Sequence, residues 1–355
     1  MKILIDIGHP AHVHLFKHFS WQMKEKGHEI LFTVRDKEYE IQLLKKYGFK
    51  YISFGKHYKS KSGKIIGLLV FNLKMLQTAL WFKPDIFLSH GSVYAAQIAW
   101  LLRKPHISLE DSGNMEQIRL YRPFTKAIIT PDILPERLGE KQIRYRAYHE
   151  IAYLHPDYFK PDDSIYKELN LNHGDKYCIL RFVSWNATHD AGHRGFSDVE
   201  KILLVNIVSK YMRVFISAES ELIDELKEYK ISIPPERMHD ALYFASLFVG
   251  EGATMASESG VLGTTAVYVN SIRRSYCEDQ ERFGLVYNFQ DAGKAITKIG
   301  ILITHKENLN KQEESRKALL KEKIDLTAFL VWFMESYPES FRIMKENPDY
   351  QYNFK

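Results

Sequence analysis

Residues 248–270, FVGEGATMASESGVLGTTAVYVN, decide how this chain is to be read. An apolar strand runs into Gly250, Glu251, Gly252 and Ala253, a helix is predicted from about Thr254 to Gly263, and a second strand, TAVYVN, follows at once. Small residues at such a turn let a ligand approach the backbone. The helix start offers unpaired N–H groups and a partial positive charge to a phosphate. Glu258 falls about one turn inside, within reach of a ribose diol. A plain strand–helix turn has the same composition, so the rest of the chain must supply the context.

Outward from that stretch the same alternation recurs. YCILRFV, RVFISA, LFVGE and TAVYVN read as strands in the second half, with helices near 197–209, 219–228, 239–245 and 254–262. KILIDI, HEILFTV, KYISF, PDIFLSH, PHISLE and KAIIT read as strands in the first, with helices near 13–26, 36–46, 65–82, 92–103 and 114–120. Near-continuous apolar strands separated by helices predict βαβ units around buried parallel sheets. A length of 355 residues exceeds what one core usually holds. The Pro-, Asp- and Lys-rich segment 158–174 is read as a linker between a domain at 1–157 and one at 175–325, and 326–355 as closing helices. The expected fold class is α/β, two Rossmann-like domains with parallel sheets facing a central cleft, where ligands sit at strand carboxyl ends.

Composition excludes several classes. Lys and Arg number 49 against 44 Asp and Glu, a mild excess with no basic block interleaved with aromatics, so no nucleic-acid partner is expected. Cys178 and Cys277 lack CxxC spacing, which leaves neither a disulfide framework nor a zinc ribbon. The opening MKILIDIG enters a strand directly, with no leader pattern, and a cytoplasmic placement is expected. Residues 65–82, IIGLLVFNLKMLQTALWF, are interrupted by Asn72, Lys74 and Gln77, so a buried or interfacial helix is predicted rather than a span. Lys56, Lys59, Lys61, Lys64 and Lys83 flank it. Either they are ordinary solvated lysines, or the helix makes a peripheral contact with the inner, anionic face of a membrane. GHPAHVH, residues 8–14, is not GxGxxG, and neither GxxxxGK[ST] nor GxSxG occurs, which argues against a nicotinamide cofactor, a P-loop and a hydrolase elbow. A loop followed at once by a helix points His9, His12 and His14 in different directions, so no metal is expected there.

HDALYFASLFVGEGATMASESGVLGTTAVYV resembles the donor-nucleotide segment of GT-B glycosyltransferases, especially the N-acetylglucosaminyltransferase of peptidoglycan synthesis, and of the UDP-N-acetylglucosamine 2-epimerases. GHPAHVH stands in the place of that transferase's first loop, and SHGSVYAAQIAWLLRKPHISLEDSGN resembles its strand, glycine turn, helix, strand and acidic loop. RYRAYHEIAYLHPDYFKPD, LRFVSWNATHD and LEDSGN look most like a "domain of unknown function" family assigned to the GT-B group, over nearly the whole length. The resemblance implies a GT-B fold.

Carried over residue by residue, it implies that Glu258 holds the donor ribose and that Gly252, Ala253 and Thr254 lie at the diphosphate. Glu251 departs from the pattern: beside that loop it repels phosphate unless it accepts hydrogen bonds from sugar hydroxyls. Arg181 and Ser184, followed by Asn186, His189, Asp190 and His193, lie on the turn that faces donor phosphates, with Arg181 standing in for a metal. On the acceptor side, with Gly8, His9, His90, Gly91 and Ser92, His12 matches the transferase's loop histidine and is the first choice as base, with Glu110 and Asp111 second. Such a carboxylate pair also serves as a helix cap or solvated turn. Glu110 matches a catalytic acid of the epimerases, whereas Ser92 stands where they carry an aspartate, which counts against epimerisation. The implied activity is metal-independent transfer from a nucleotide diphosphate sugar, with no further cofactor, to a glycan or lipid-linked acceptor. An epimerase or hydrolase, or a noncatalytic nucleotide-sugar binder, are the alternatives.

Overall fold

The structure, a computed structural model, describes every residue other than 57–60, 185–194 and 305–311, together with the side chains of all but 61, 62 and 64–66 of those. The chain divides into two compact units, Met1–Tyr153 with Lys323–Lys355, and Leu154–Glu322.

The first unit is built on β1 (Lys2–Ile7), β2 (Glu29–Asp36), β3 (Tyr51–Lys56), β4 (Ile86–His90), β5 (His106–Leu109), β6 (Ala127–Pro131) and β7 (Gln142–Tyr145), all parallel, in the order β3-β2-β1-β4-β5-β6-β7. From β1 the chain builds outward to β3 and then returns to β4 on the other side, so the switch point lies between β1 and β4. KILIDI is apolar almost throughout because its residues from Ile3 to Ile7 are all buried. Between the strands run α1 (Pro10–Glu25), α2 (Glu40–Lys46), α3 (Lys61–Phe82), α4 (Val93–Leu101) and α5 (Met115–Tyr121).

In α3 two of the three interrupting polar residues have definite partners: Asn72 Nδ2 donates to Gln97 Oε1 at 2.8 Å, and Lys74 Nζ to the Phe54 carbonyl at 2.6 Å. Phe71, Met75 and Ala79 pack on Ala95, Ile98 and Ala99 of α4. Leu69, Leu73, Leu80 and Trp81 are each more than half exposed. Among the described residues no helix is long and apolar enough to cross a membrane.

After α6 (Ile151–Leu154), which ends the first stretch of the first unit, the second unit carries α7 (Ile165–Glu168), α8 (Asp198–Val208), α9 (Met238–Phe244), α10 (Ala253–Leu262), α11 (Ser275–Glu281), α12 (Ala292–Thr304) and α13 (Gln312–Glu322). Its sheet is β8 (Tyr177–Phe182), β9 (Arg213–Ala218), β10 (Leu247–Gly250), β11 (Ala266–Val269) and β12 (Val286–Phe289), parallel, in the order β12-β11-β10-β8-β9, with its switch point between β8 and β10. Gly263, in the left-handed conformation at φ 91°, ends α10.

Three expectations differ from the structure. The helix near 219–228 is a 3-10 turn at Asp224–Tyr229, where Leu226 is the one buried side chain and no apolar stripe exists to hold a longer helix. Residues 158–174 belong to the second unit: Ile165 and Leu169 are buried, and Arg237 pairs with Asp162 at 3.0 Å and Glu168 at 2.9 Å. The helices α14 (Leu326–Glu335) and α15 (Glu339–Glu346) are part of the first unit, where Thr327 Oγ1 donates to the Ala152 carbonyl at 2.8 Å and Glu335 pairs with Lys26 at 2.6 Å.

His106 on β5 is fully buried, with Nε2 at 2.9 Å from Ser89 Oγ and Nδ1 at 2.9 Å from Thr125 Oγ1. Burial pushes its imidazole down to about 3. An unfolded histidine takes a proton near pH 6.5, so below that pH the unfolded chain binds a proton that the native chain refuses. The contribution of neutral His106 is therefore complete above pH 6.5 and falls as the pH drops toward 3, by about 2 kcal/mol at pH 5. Melting curves at pH 7.5 and 5.0 should show a smaller acid loss for His106→Asn than for the unaltered chain. Equal losses would remove this assignment.

Candidate functional site

In the first unit the loops after β1 and β4 flank the switch point, and GHPAHVH is the first of them. His9 caps α1, its Nδ1 accepting the Ala11 N–H at 3.2 Å, and Pro10 fills the first helical position, where no donor is needed. One turn in, His12 points back so that its Nδ1 accepts the Gly8 N–H at 3.3 Å. With that nitrogen an acceptor, the neutral ring carries its proton on Nε2. Burial, reinforced by neighbouring His90 and His9, holds His12 well below the ordinary histidine range. Its ring stacks on His90 at 4.4 Å between centroids. His14 turns elsewhere, against Tyr47 and Tyr153.

His90 ends β4. Gly91 follows at φ 63°, a conformation that disfavours a side chain, and its N–H donates to Ser108 Oγ at 3.0 Å. Ser92 caps α4, its Oγ accepting the Ala95 N–H at 3.1 Å. Just past β5, Asp111 lies between two imidazoles: Oδ1 is 2.9 Å from His90 Nε2, and Oδ2 is 2.9 Å from His149 Nδ1. Burial alone would raise Asp111, but His149 and His90 hold it well below the usual carboxylate range. For His90 the order is reversed, since burial pulls it down but the hydrogen bond and charge of Asp111 leave it raised. Glu110, almost fully buried, accepts from the Ser112 N–H at 2.8 Å, Ser112 Oγ at 2.6 Å and Tyr121 Oη at 2.9 Å, so it fixes the loop. A cavity of about 580 Å³ is lined by Gly8, His12, Arg35, His90, Ser112 and Gln117, among others.

In the second unit the loop after β10 leads into α10. Its N-cap, Gly252, supplies no side-chain hydrogen bond to the helix. Glu258 is buried in α10 with Oε1 at 3.0 Å from His239 Nε2 on α9. Glu251 turns away from the helix start: its carboxylate accepts the Val183 N–H at 2.8 Å and the Phe196 N–H at 2.6 Å, tying together the chain on either side of residues 185–194. Arg181, at the end of β8, donates to Ser217 Oγ at 2.8 Å and Glu219 Oε1 at 2.7 Å. The Ser184 N–H also donates to Glu219, at 3.2 Å.

The first unit thus gathers Gly8, His9, His12, His90, Gly91, Ser92, Glu110 and Asp111 around one strand edge. The second gathers Arg181, Ser184, Glu251, Gly252, Ala253, Thr254 and Glu258 around another. Asn186, His189, Asp190, His193 and Lys59, and the side chains of Lys61 and Lys64, lie outside the described residues. His149 and His239 are the participants that sequence reasoning misses. Each lies within a stretch quoted above, RYRAYHEIAYLHPDYFKPD and HDALYF, but neither spacing names its partner.

Residues 1–331 match the family described as "Protein of unknown function (DUF354)". The uncharacterized protein MJ0665 of Methanocaldococcus jannaschii is 25% identical over 284 residues, which cover 75% of this chain and 81% of that protein. The UDP-GlcNAc 2-epimerase of Neisseria meningitidis, solved with UDP-GlcNAc bound, superposes with a TM-score of 0.64 at 13% identity, over 91% of this chain and 99% of its own. A spinosyn rhamnosyltransferase complexed with spinosyn aglycone does so with a TM-score of 0.57 at 12% identity, over 95% of this chain and 100% of its own. Likeness at this level of identity concerns the fold, and it places the two parallel sheets and their helices in the two-Rossmann-domain architecture of the GT-B type.

Proposed function

The chain belongs to the DUF354 family of proteins of unknown function, and from that premise we propose that it acts on a nucleotide diphosphate sugar and transfers the sugar to a glycan or lipid-linked acceptor. The observation that carries this reading is the start of α10, where a glycine turn leaves the helix without a side-chain cap and a buried carboxylate, Glu258, is oriented one turn further on by His239. Backbone N–H groups at Gly252, Ala253 and Thr254 suit the diphosphate, and Glu258 the ribose. A solved protein of the same architecture holds UDP-GlcNAc, which agrees with this class of donor. Glu251 drops out of the donor contacts, because its carboxylate is engaged by backbone amides. Arg181 and Ser184, both held by Glu219, enter as groups that shape the phosphate side.

The acceptor is assigned to the cavity of the first unit. Its hydroxyl oxygen attacks the anomeric carbon, the bond from that carbon to the diphosphate breaks, and the nucleotide diphosphate leaves toward the α10 N-terminus. His12 acts here as a donor through Nε2–H instead of as the base, since its Nδ1 is taken by Gly8. The cluster around Asp111 orients the acceptor and takes its hydroxyl proton as the new bond forms. Ser92 serving as a helix cap, and Glu110 engaged in three hydrogen bonds, favour transfer over epimerisation.

A panel of nucleotide diphosphate sugars, followed by thermal stabilisation and by release of free nucleotide diphosphate, tests the reading. One donor class is expected to bind and to turn over only with an acceptor. Turnover without acceptor would point to an epimerase or hydrolase, and binding without any turnover to a noncatalytic binder. Absence of binding at millimolar donor would end the proposal.

Peripheral attachment to the inner membrane face belongs to the same reading, through the exposed Leu69, Leu73, Leu80 and Trp81. Sedimentation with anionic vesicles should fall several-fold in a Leu73→Glu, Trp81→Glu double variant, and equal pelleting would exclude this face.

A further inference from the structure

We propose that His90, Asp111 and His149 form a binding site for one divalent cation of the zinc, manganese or ferrous class. Spacing alone announces no such set, because the three residues stand 21 and 38 positions apart. Topology assembles them: β4, β5 and β7 are parallel strands of one sheet, so the loops at their carboxyl ends share an edge. One ligand atom from each, two imidazole nitrogens and a carboxylate oxygen, lie within 4.8 Å of one another. An ion among them needs bonds of about 2.0–2.2 Å to each, so the three side chains close in around it on binding.

The same atoms also satisfy one another as two hydrogen bonds of 2.9 Å, so a bound cation takes the place of the protons in those bonds. Asp111 adjoins Glu110, and among the described residues no lysine or arginine lies within ion-pair distance of either. Their partners are Ser112, Tyr121 and the two imidazoles. Glu110 is almost fully buried and Asp111 half-buried, and a divalent cation is one source of the positive charge that stabilises such a pair, placed where the two histidines already converge. Two imidazoles and one carboxylate with no thiolate is a set that zinc, manganese or ferrous ion accepts while keeping a position open. His90 lines the cavity of about 580 Å³, so the site adjoins a space able to hold a ligand oxygen. This inference stands on the three side chains and holds whatever the reaction.

The test uses the full chain, stripped with a chelator and titrated by calorimetry with Zn²⁺ and, separately, Mn²⁺. One saturable equivalent is expected for at least one ion, with affinity lowered more than about 100-fold in Asp111→Ala and in His149→Ala and unchanged in His173→Ala, at an exposed histidine of the second unit. No saturable binding by the unaltered chain overturns the proposal, as does binding that survives His149→Ala. If either variant fails to fold, electron paramagnetic resonance of the unaltered chain loaded with one equivalent of Cu²⁺ decides. Two coordinated imidazole nitrogens are expected, and fewer would overturn the assignment.

Discussion

Asp6→Ala is expected to lower the melting temperature of the first unit by roughly 10 °C, the largest stability effect of any single change considered. Asp6 is 1% exposed in the middle of the sheet. Its Oδ1 accepts Thr33 Oγ1 at 2.7 Å and Arg35 Nη1 at 3.0 Å, while Oδ2 is 2.9 Å from the same Nη1. Arg35 spends its other nitrogen on the Ile7 carbonyl at 2.7 Å and stacks over Tyr94. Removing one partner of a buried ion pair leaves the other charge without compensation and costs about 3–5 kcal/mol. At about 2–4 °C per kcal/mol for a unit of this size, that corresponds to the shift given. Thr33→Val, which removes one hydrogen bond to the carboxylate but leaves the ion pair, should cost less, about 2 kcal/mol. Calorimetric melting decides, and a shift below 2 °C for Asp6→Ala would mean that Arg35 finds another partner. Arg35 also lines the cavity, so its release would put a guanidinium where the acceptor is assigned.

Glu258→Ala is expected to weaken donor binding by about 10–100-fold, the value of a hydrogen-bonded pair with one charged member. The variant also strands His239, so a lost affinity by itself could reflect a disturbed α9–α10 contact. Glu258→Gln separates the two effects. Its amide oxygen can still accept from His239 and preserve folding, while the other carboxylate oxygen, the one left for a ribose diol, becomes an NH2 donor. Glutamine with intermediate affinity and a melting temperature near that of the unaltered chain is the expected pattern. Alanine with donor affinity within twofold of the unaltered chain would remove the ribose assignment.

What the sequence makes legible follows from burial. KILIDI and YCILRF announce themselves because a central strand covered on both faces must be apolar through most of its length. β7 and β12 end their sheets, are four residues long and read QIRY and VYNF, too short and too polar to stand out from loops. The turns GHPAH, HGS and EGAT are visible as site material because each directly follows such an apolar run. Their chemical partners are not, because His149 meets Asp111, and His239 meets Glu258, only after the sheets and helices have formed. His12 shows the same limit at the scale of one atom: sequence places a histidine in the loop, but only the Gly8 contact tells which nitrogen holds the proton.

The return of residues 323–355 to the first unit bears on how the protein is made. α14 buries Leu326, Phe329, Leu330, Phe333 and Met334, on the order of 10 kcal/mol of gross hydrophobic stabilisation that the first unit lacks without it. During synthesis that contribution arrives only after all of residues 154–322 have left the ribosome. The unit that is second in sequence therefore emerges complete before the first, whose sheet gains its α14 contacts only when residues 323–355 follow.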